Sequence, residues 1–451
     1  MCRYILLLTL TLFLSCNDEK REVVKATTPN ILVIIADDAG WNDVGYNGSD
    51  IFTTNIDVLA KEGIQLNRFY VNPTCSPSRA SFLTGRPASR IGIVAPISNR
   101  SEISLPDSIV TLPQQLKKYK YQTALFGKWH LGLKPSSGPK KYGFDYSYGF
   151  LHGQIDQYSH EYKNGDPSWH KNGTFISEDG HATDLIGAEA INWLTKHRDT
   201  TKSFYVQLAY SAPHFPLQET EAWKKPYVNR IKNASRRDFA AAMSHMDNNI
   251  GKVLNKLDDL GLTENTIILF MSDNGAMENW FPSNQYEGRH SANDVLGSNT
   301  PLKDWKTSNY EGAIRVPAIM YWKGKLKPGI SNNYFSAIDM MPTLLDLAGI
   351  DEIPALVEGR NIWPTLAGKD TLNSSIYVRG HLQESIIEKP WKLIRTRHLT
   401  SDTEYELYNI ELDPEETNNV VKEQEALFSS LKVSLQDQFQ LDVQNVNLDI
   451  Q

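Results

Sequence analysis

Four uninterrupted apolar runs dominate the hydrophobic pattern of the chain, and each of them ends in polar residues. The runs cover residues 30–36, 123–126, 204–209 and 266–271. Continuous rather than alternating apolar runs are typical of strands that are buried on both faces of a mostly parallel sheet. Helical patterns at residues 184–197 and 238–260 lie between these runs. The pattern therefore predicts an α/β fold, with a large, mostly parallel sheet flanked by helices.

The polar residues that follow the runs are expected to meet at one edge of the sheet, because ligands of open α/β sheets bind outside the carboxyl ends of the strands. Asp37 and Asp38 follow the first run, and Asp273 and Asn274 follow the last. Three carboxylates and one amide are hard oxygen ligands that favour Ca²⁺, with Mg²⁺ possible, over Zn²⁺. Each pair could instead only cap a turn, but two such pairs at strand ends favour a cation site.

The pattern changes near residue 370. Short strand-like segments follow at residues 377–379, 391–395 and 405–409, and a helical pattern covers residues 422–439. These elements predict a smaller C-terminal α+β domain. The predicted organisation is a signal peptide at 1–15, a lipidated tether at 16–28, a catalytic α/β domain at 29–369 and the C-terminal α+β subdomain at 370–451.

The N-terminal segment predicts export. Arg3 precedes an apolar stretch at residues 5–14, which has the length of a signal-peptide core and is too short to span a bilayer. The sequence before Cys16 resembles a bacterial lipobox, which implies cleavage before Cys16 and lipidation of its thiol. We therefore expect an exported bacterial lipoprotein at the outer membrane, on the cell surface or the periplasmic face, bound to the membrane only through Cys16. The alternative is an ordinary secretory signal.

Composition excludes some classes of partner. The 451-residue chain carries a formal net charge of −7, and a protein that binds nucleic acid usually presents a basic patch; no nucleic-acid partner is predicted. Of the three cysteines, Cys2 leaves with the signal peptide and Cys16 would carry lipid. Only Cys75 remains in the folded part, so no internal disulfide can form there. A single cysteine in an exported protein is either a buried apolar side chain or a functional thiol.

The segment Cys75-Ser-Pro-Ser-Arg79 decides between these two readings. It lies within a longer match at residues 73–85, where the chain resembles the type I sulfatases of the alkaline phosphatase superfamily. In that family, C-x-P-x-R signals oxidation of the cysteine to formylglycine. Further family motifs match in order at residues 127–132, 212–216, 272–275, 310–312 and 406–414. The resemblance runs from about residue 30 to residue 419 and implies an alkaline phosphatase-like fold.

The resemblance also implies residue roles. A formylglycine-generating maturation enzyme would convert Cys75, and the hydrated product would attack sulfur through one of its two hydroxyls. The implied cation ligands are Asp37, Asp38, Asp273, Asn274 and residue 75. The other implied catalytic residues are Arg79 for the hydrate, Lys128 and Lys306 for the sulfate oxygens, His214 as general acid and His130 as base. Lys306 is preferred to the nearby Lys303 because of its spacing to Tyr310.

The region between residues 144 and 181 is dense in aromatic residues, histidine and glycine, as expected of a surface that stacks on sugar rings. It resembles the corresponding loop of N-acetylgalactosamine-4-sulfatases of the arylsulfatase B type. The candidate substrate contacts are His152, His160, Arg289, His290, Arg379 and His381. The predicted function is an exo-acting sulfatase for extracellular sulfated polysaccharide or its oligosaccharides, either of chondroitin type or algal, such as ulvan or carrageenan.

Two alternatives remain open from the sequence. The first is a phosphonate monoester or phosphodiester hydrolase of the same superfamily, some of which also use formylglycine. The second is a non-catalytic glycan-binding lipoprotein in which Cys75 stays unmodified, although every motif residue is retained. The sugar and the ester position are open as well.

Overall fold

The structure is a computed structural model, and it describes residues 28–282, 284–369, 375–398 and 401–447. The predicted signal peptide, Cys16 and all of the predicted tether except its last residue lie outside the described residues. Across the described ranges, no helix combines the length and the apolar character that crossing a bilayer requires.

Fifteen strands among the described residues form two sheets. The strands are β1 Asn30–Ala36, β2 Ile64–Tyr70, β3 Gln122–Lys128, β4 Tyr146–Phe150, β5 Trp169–Lys171, β6 Thr174–Phe175, β7 Phe204–Ala209, β8 Thr266–Ser272, β9 Arg315–Val316, β10 Ala318–Tyr321, β11 Gly329–Ser336, β12 Ser375–Arg379, β13 Gln383–Glu388, β14 Trp391–Thr396 and β15 Glu404–Asn409.

The large sheet has the strand order β11-β2-β10-β8-β1-β7-β3-β4-β5-β6, with β9 paired to β2. Its centre, from β8 to β4, is parallel throughout. Antiparallel pairs lie towards the two sides, where β10 joins β8 to β2 and where β5 and β6 follow β4. The predicted large, mostly parallel sheet is confirmed.

Strand β1 shows why the apolar runs are continuous. Its side chains alternate between two hydrophobic cores, with Ile31, Val33 and Ile35 packed on one face of the sheet and the intervening residues on the other. All seven residues of the strand are buried. A strand covered by helices on both faces has no exposed side that a polar residue could occupy.

Ten α-helices occur among the described residues, and most of them cover the large sheet. They are α1 Thr54–Glu62, α2 Cys75–Thr84, α3 Leu112–Lys118, α4 Ala182–Asn192, α5 Glu221–Lys224, α6 Ala234–Asp259, α7 Glu311–Ile314, α8 Met340–Leu347, α9 Trp363–Leu366 and α10 Glu425–Gln440. The helices predicted at 184–197 and 238–260 correspond to α4, which continues into a π-turn at Trp193–His197, and to α6.

The C-terminal part contains the predicted smaller unit. Strands β12 to β15 form an antiparallel sheet in chain order. Helix α10 covers one face through Leu431 and Leu435. The other face packs against residues of the large domain, among them Tyr70 and Ile314. This small sheet therefore lies directly against the segment between β8 and β10, which carries Lys306.

Candidate active site

The polar residues that follow β1 and β8 lie side by side because these strands are parallel neighbours, with Ala36 opposite Ser272. The backbone N–H of Asp38 donates to Asp273 Oδ1 at 3.2 Å, and Asn274 Nδ2 donates to Asp38 Oδ1 at 2.7 Å. Asp38 has a left-handed φ of 68°, an unfavourable conformation for a non-glycine residue that is typical of functional sites. The three carboxylates and the amide are thus brought together as predicted.

A lysine binds each of the first two carboxylates. Lys128 Nζ, at the end of β3, donates to Asp37 Oδ2 at 2.7 Å. Lys306 Nζ donates to both oxygens of Asp38, at 2.7 and 2.8 Å. Burial raises the pKa of Asp37 to about 7 in spite of Lys128. Burial also opposes ionisation of Asp38, but Lys306, His214 and Lys128 outweigh it and lower the pKa of Asp38 to about 2.

Close packing of β3 against β7 places Lys128 beside Asp37. The preceding residue, Gly127, has φ of 105°, and a Cβ there would lie 1.8 Å from the carbonyl oxygen of Ala209. Only glycine fits, which explains why the glycine and the lysine stand together in the motif.

Helix α2 contributes both Cys75 and Arg79. Cys75 is the first residue of the helix and is 3% exposed. Burial raises the pKa of its thiol, although Lys128 and Lys306 oppose this shift. Arg79 lies one turn later, and its Nε and Nη2 donate to Asp273 Oδ2 at 2.9 and 2.8 Å. One helical turn thus places the residue at position 75 and a fixed guanidinium against the carboxylate cluster.

Two buried histidines complete the group. The Nε2 of His130 lies 2.8 Å from the carbonyl oxygen of Ile97 and donates to it. Its Nδ1 has no hydrogen-bond partner among the described residues. The Nδ1 of His214 donates to the carbonyl oxygen of Phe215 at 2.7 Å, and its Nε2 lies 3.6 Å from Asp38 Oδ2. Burial lowers the pKa of both rings, that of His214 to about 3.

The oxygen atoms of this group fit a divalent cation. Asp37 Oδ1 and Asn274 Oδ1 are buried and have no hydrogen-bond partner in the described part of the chain. Buried polar atoms are almost always paired, so two unpaired oxygens in one cluster require a ligand. Oxygen atoms of Asp37 and Asp38 also lie within 4.8 Å of each other and of a nitrogen of His214.

A cavity of about 220 Å³ opens above these residues. Cys75, His130, His214 and Lys306 line it. The other lining residues include Gln154, Tyr162, Lys163, Gln285 and Thr307, which were not predicted from the sequence. Tyr162 and Lys163 belong to the aromatic segment at residues 144–181, in which only histidines are predicted as substrate contacts. Gln285 lies in no motif and gave no signal.

The six candidate substrate contacts do not line this cavity. His152 stacks on Tyr162, which does line it, and its Nδ1 bonds Ser168 Oγ at 2.9 Å. His160 stacks on Trp169. His290 pairs with Asp156 at 3.0 Å.

The other three candidates lie on the surface, in the small subdomain or at a neighbouring cavity. Arg289 lies 3.8 Å from Glu161 on the surface. Arg379 is buried in the C-terminal subdomain and pairs with Asp442 at 2.7 Å. His381 lines a neighbouring cavity of about 450 Å³, which shares Thr74 and Thr307 with the first cavity.

Family comparisons agree with this fold. The model of the sulfatase family matches residues 29–350, and that of the N-sulphoglucosamine sulphohydrolase C-terminal region matches residues 304–442. The chain therefore belongs to the sulfatase family and is a sulfuric ester hydrolase of the type I class.

Individual relatives agree as well. Arylsulfatase J of Mus musculus is 34% identical over 370 residues, which are 78% of this chain and 58% of that protein; the chain thus spans less than two thirds of its length. The N-acetylgalactosamine-6-O-sulfatase of Bacteroides thetaiotaomicron is 29% identical, and the match covers 92% of this chain and 94% of that one. The crystal structure of Ps i-CgsB in complex with k-i-k-neocarrahexaose has a TM-score of 0.82 at 31% identity, covering 93% and 94% of the two chains.

Proposed function

We propose that the protein is a formylglycine-dependent glycan sulfatase that hydrolyses sulfate esters of extracellular sulfated polysaccharide or its oligosaccharides. The observation that carries the proposal is the convergence of Cys75, Lys306 and two histidines on one cavity above the carboxylate cluster, with Lys128 buried beside them on Asp37. A sulfate ester is a stable anion, so its hydrolysis requires a strong nucleophile and positive charge placed where negative charge develops. The relatives that act on sulfated sugars support the same substrate class.

Asp37, Asp38, Asp273, Asn274 and residue 75 would hold the cation, for which we propose Ca²⁺. Their unpaired buried oxygens support this assignment. When bound, a divalent cation would polarise the sulfate and lower the pKa of a hydroxyl group beside it. Lys128 and Lys306 lie within 3 Å of the carboxylates that would bind the ion, so they can turn from these carboxylates to the sulfate oxygens.

The proposed nucleophile is one hydroxyl of the hydrated formylglycine at position 75. It would attack sulfur as its own proton passes to a carboxylate of the cluster, the bond from sulfur to the sugar oxygen would break, and the alcohol would leave with a proton from His214. The second hydroxyl then gives its proton to His130, the carbonyl forms again and sulfate leaves with the bonding electrons. Serine at this position could perform the first step but would have no such second step.

The hydrogen bonds of the two histidines suit these roles. The Nε2–H of His130 is committed to Ile97, which leaves the lone pair of Nδ1 available to accept a proton. Burial keeps this ring neutral, as a base requires. His214 must carry a proton to act as an acid, and the negative charge of a bound sulfate ester would raise its pKa towards the working pH.

The setting of the enzyme is part of the proposal. We propose export as a lipoprotein anchored through Cys16 at the outer membrane and maturation by a formylglycine-generating enzyme. There the protein would remove sulfate in an exo manner during polysaccharide degradation. The six candidate contacts, His152, His160, Arg289, His290, Arg379 and His381, remain predictions; among them, His152 stacks on Tyr162, which lines the cavity, and His381 lines the neighbouring cavity.

The test is sulfate release from a panel of sulfated oligosaccharides of chondroitin, carrageenan and ulvan type. The protein would be matured with a formylglycine-generating enzyme, and the mass of the peptide containing residue 75 would establish the conversion. Cys75→Ala is the inactive control, and Lys303→Met is the matched control for a change beside the site. A phosphate monoester and a phosphonate monoester belong in the same panel.

We expect one or a few sulfated members to release sulfate, and Cys75→Ala to release none. Turnover of the phosphonate ester without sulfate release would establish the phosphonate hydrolase instead. No turnover of any member of the panel by protein with verified conversion at position 75 would contradict the enzymatic proposal. Glycan binding by protein whose Cys75 stays unmodified even with the maturation enzyme would favour a glycan-binding lipoprotein.

A further inference from the structure

A second cluster of potential metal ligands lies outside the cavity. His181 directly precedes α4, Glu219 lies in the loop after β7, and His245 projects from α6. All three are buried, with exposures of 7%, 6% and 2%. The mechanism proposed above uses none of them, and no motif discussed above includes them.

The geometry brings the three side chains to a common point. One ligand atom from each lies within 4.8 Å of the other two. The Nδ1 of His245 is 2.8 Å from Glu219 Oε2, and the Nε2 of His181 is 3.5 Å from Glu219 Oε1. That Nε2 has no hydrogen-bond partner among the described residues. A buried nitrogen without a partner, aimed at a carboxylate that a second imidazole also faces, indicates room for a cation between them.

Asp184 supports His245 from its other side. Its Oδ2 lies 3.1 Å from the Nε2 of His245. That Nε2 has no hydrogen-bond partner among the described residues, but a carboxylate at this distance favours the tautomer with the proton on Nε2, which leaves Nδ1 for a metal. The ring of Trp223 stacks on His245 with centroids 4.6 Å apart, which fixes the plane of the imidazole. The side chain of Asp184 is 51% exposed, so the cluster lies just beneath the surface at this carboxylate.

We propose that His181, Glu219 and His245 form a second metal site that binds Zn²⁺, with Asp184 as its supporting carboxylate. Two imidazoles and one carboxylate are ligands that Zn²⁺ prefers, whereas the ligands proposed for the catalytic cation are almost all oxygens. Coordination through the Nε2 of His181 would break the hydrogen bond that its Nδ1 accepts from the backbone N–H of Thr183 at 3.2 Å. Coordination through the Nδ1 of His245 would release its proton to solvent and end its 2.8 Å hydrogen bond to Glu219. Two hydrogen bonds are thus exchanged for three coordinate bonds.

The position of this site connects it to the active site. Glu219 follows His214 in the same loop, and both residues, together with His181, line a small cavity of about 10 Å³. A zinc ion would therefore fasten the loop that carries His214 to helices α4 and α6. The role inferred for the ion is structural, because its ligands do not line the cavity above Cys75.

The test measures metal rather than activity. Purified protein would be incubated with Zn²⁺ in a large excess of Ca²⁺, which occupies the oxygen-rich catalytic site, and bound zinc would be counted by mass spectrometry after gel filtration. The variants are His245→Ala and His181→Gln. The matched control is His398→Ala, since His398 is an exposed histidine that also pairs with a glutamate. Co²⁺ serves as a coloured substitute in parallel samples.

We expect the wild type and His398→Ala to retain one equivalent of zinc more than His245→Ala and His181→Gln. The visible absorption of four-coordinate Co²⁺ should follow the same order. Zinc should also raise the melting temperature of the wild type but not that of His181→Gln. Equal zinc in all four proteins, or none in the wild type, would overturn the proposal. The three side chains would then form only a buried hydrogen-bonded group without a metal. The comparison of the wild type with His181→Gln decides the matter even if His245→Ala fails to fold.

Discussion

Lys306→Met changes the charge balance of the active site at a single contact. Lys306 is almost completely buried, and its ammonium donates to both oxygens of Asp38, at 2.7 and 2.8 Å. Methionine fills a similar volume but carries no charge. The Asp38 carboxylate, itself 4% exposed in its side chain, would then keep the amide of Asn274 as its main neutral partner.

Two estimates give the size of the effect. Lys306 is the main reason that the pKa of Asp38 is lowered to about 2 against the burial that raises it. A return of that pKa only to its ordinary value near 3.8 corresponds to about 2–3 kcal/mol. Removal of one partner of a buried ion pair typically costs about 3–5 kcal/mol. We therefore expect Lys306→Met to lower the free energy of unfolding by about 3 kcal/mol when no Ca²⁺ is added.

Calcium should reverse much of this loss. Lys306 and a divalent cation compete for the oxygens of Asp38, so the variant should gain more from Ca²⁺ than the wild type does. Sulfate release should nevertheless fall by about 10²–10³-fold, because one donor to the sulfate oxygens is missing. Urea denaturation with and without Ca²⁺ measures the first two effects, and sulfate release from the matured protein measures the third.

Lys303→Met is the matched control. Lys303 is a half-buried lysine three positions earlier that contacts Tyr408 and Glu416 and not the carboxylate cluster. The substitution Lys303→Met should leave the stabilisation by Ca²⁺ unchanged. The reasoning is refuted if Lys306→Met is as stable as Lys303→Met without Ca²⁺, or if Ca²⁺ stabilises the two variants equally.

Three further predictions concern other parts of the molecule. Asp37→Asn should abolish the rise in melting temperature that Ca²⁺ gives the wild type, and a retained rise would remove Asp37 from the ligand set. Burial raises the pKa of Glu416 to about 7, with Lys392 opposing and Glu311 adding to the shift. Because the folded state binds this proton more tightly than the unfolded state, the free energy of unfolding should fall by up to about 3 kcal/mol from pH 4.5 to pH 7. Glu416→Gln should flatten that slope in urea titrations, and an unchanged slope would exclude Glu416 as its source. Lys163→Ala should raise KM for an anionic oligosaccharide several-fold with little change in kcat, since Lys163 lines the cavity but is not among the groups proposed to act on the reacting atoms; a loss confined to kcat would contradict this.

The centre of the sheet could be predicted from the sequence because full burial leaves a local pattern. Strands β1, β7 and β8 are buried at every position, so their composition alone identifies them. Strand β2 was not identified, since its exposure alternates at the start and polar residues interrupt it. Strand β10 has only four residues and runs antiparallel. Short and partly exposed strands acquire their pairing from neighbours that are distant in sequence.

The same distinction separates the catalytic residues from the substrate contacts. Motifs place Lys128 and His214 at the ends of buried strands, where the sheet itself determines their position. The direction of a loop side chain depends on partners that no motif contains. Arg379, for example, turns to Asp442, 63 residues later in the chain. Residue type indicated an anion-binding side chain at this position, but only the fold shows that its charge is already paired.

The pairing of charges explains how one cluster could serve both a cation and an anion. Each carboxylate has its own basic partner among the described residues: Asp37 with Lys128, Asp38 with Lys306, and Asp273 with Arg79. The cluster is therefore neutral by itself when all three acids are ionised. A divalent cation would add two positive charges, of which a sulfate ester monoanion neutralises only one. The remaining positive charge would stabilise the negative charge that develops as the ester bond breaks.

The three basic partners would respond differently when a cation binds the carboxylates. Arg79 holds Asp273 through two hydrogen bonds of a rigid fork and would stay in place when a cation binds. Lys128 and Lys306 are point charges on flexible chains, which can move to a nearby anion once a cation takes over the carboxylates. Under the proposed function, cation binding thus prepares the sulfate site, because it releases the two lysines that the substrate needs. This accounts for the use of lysine rather than arginine at both positions.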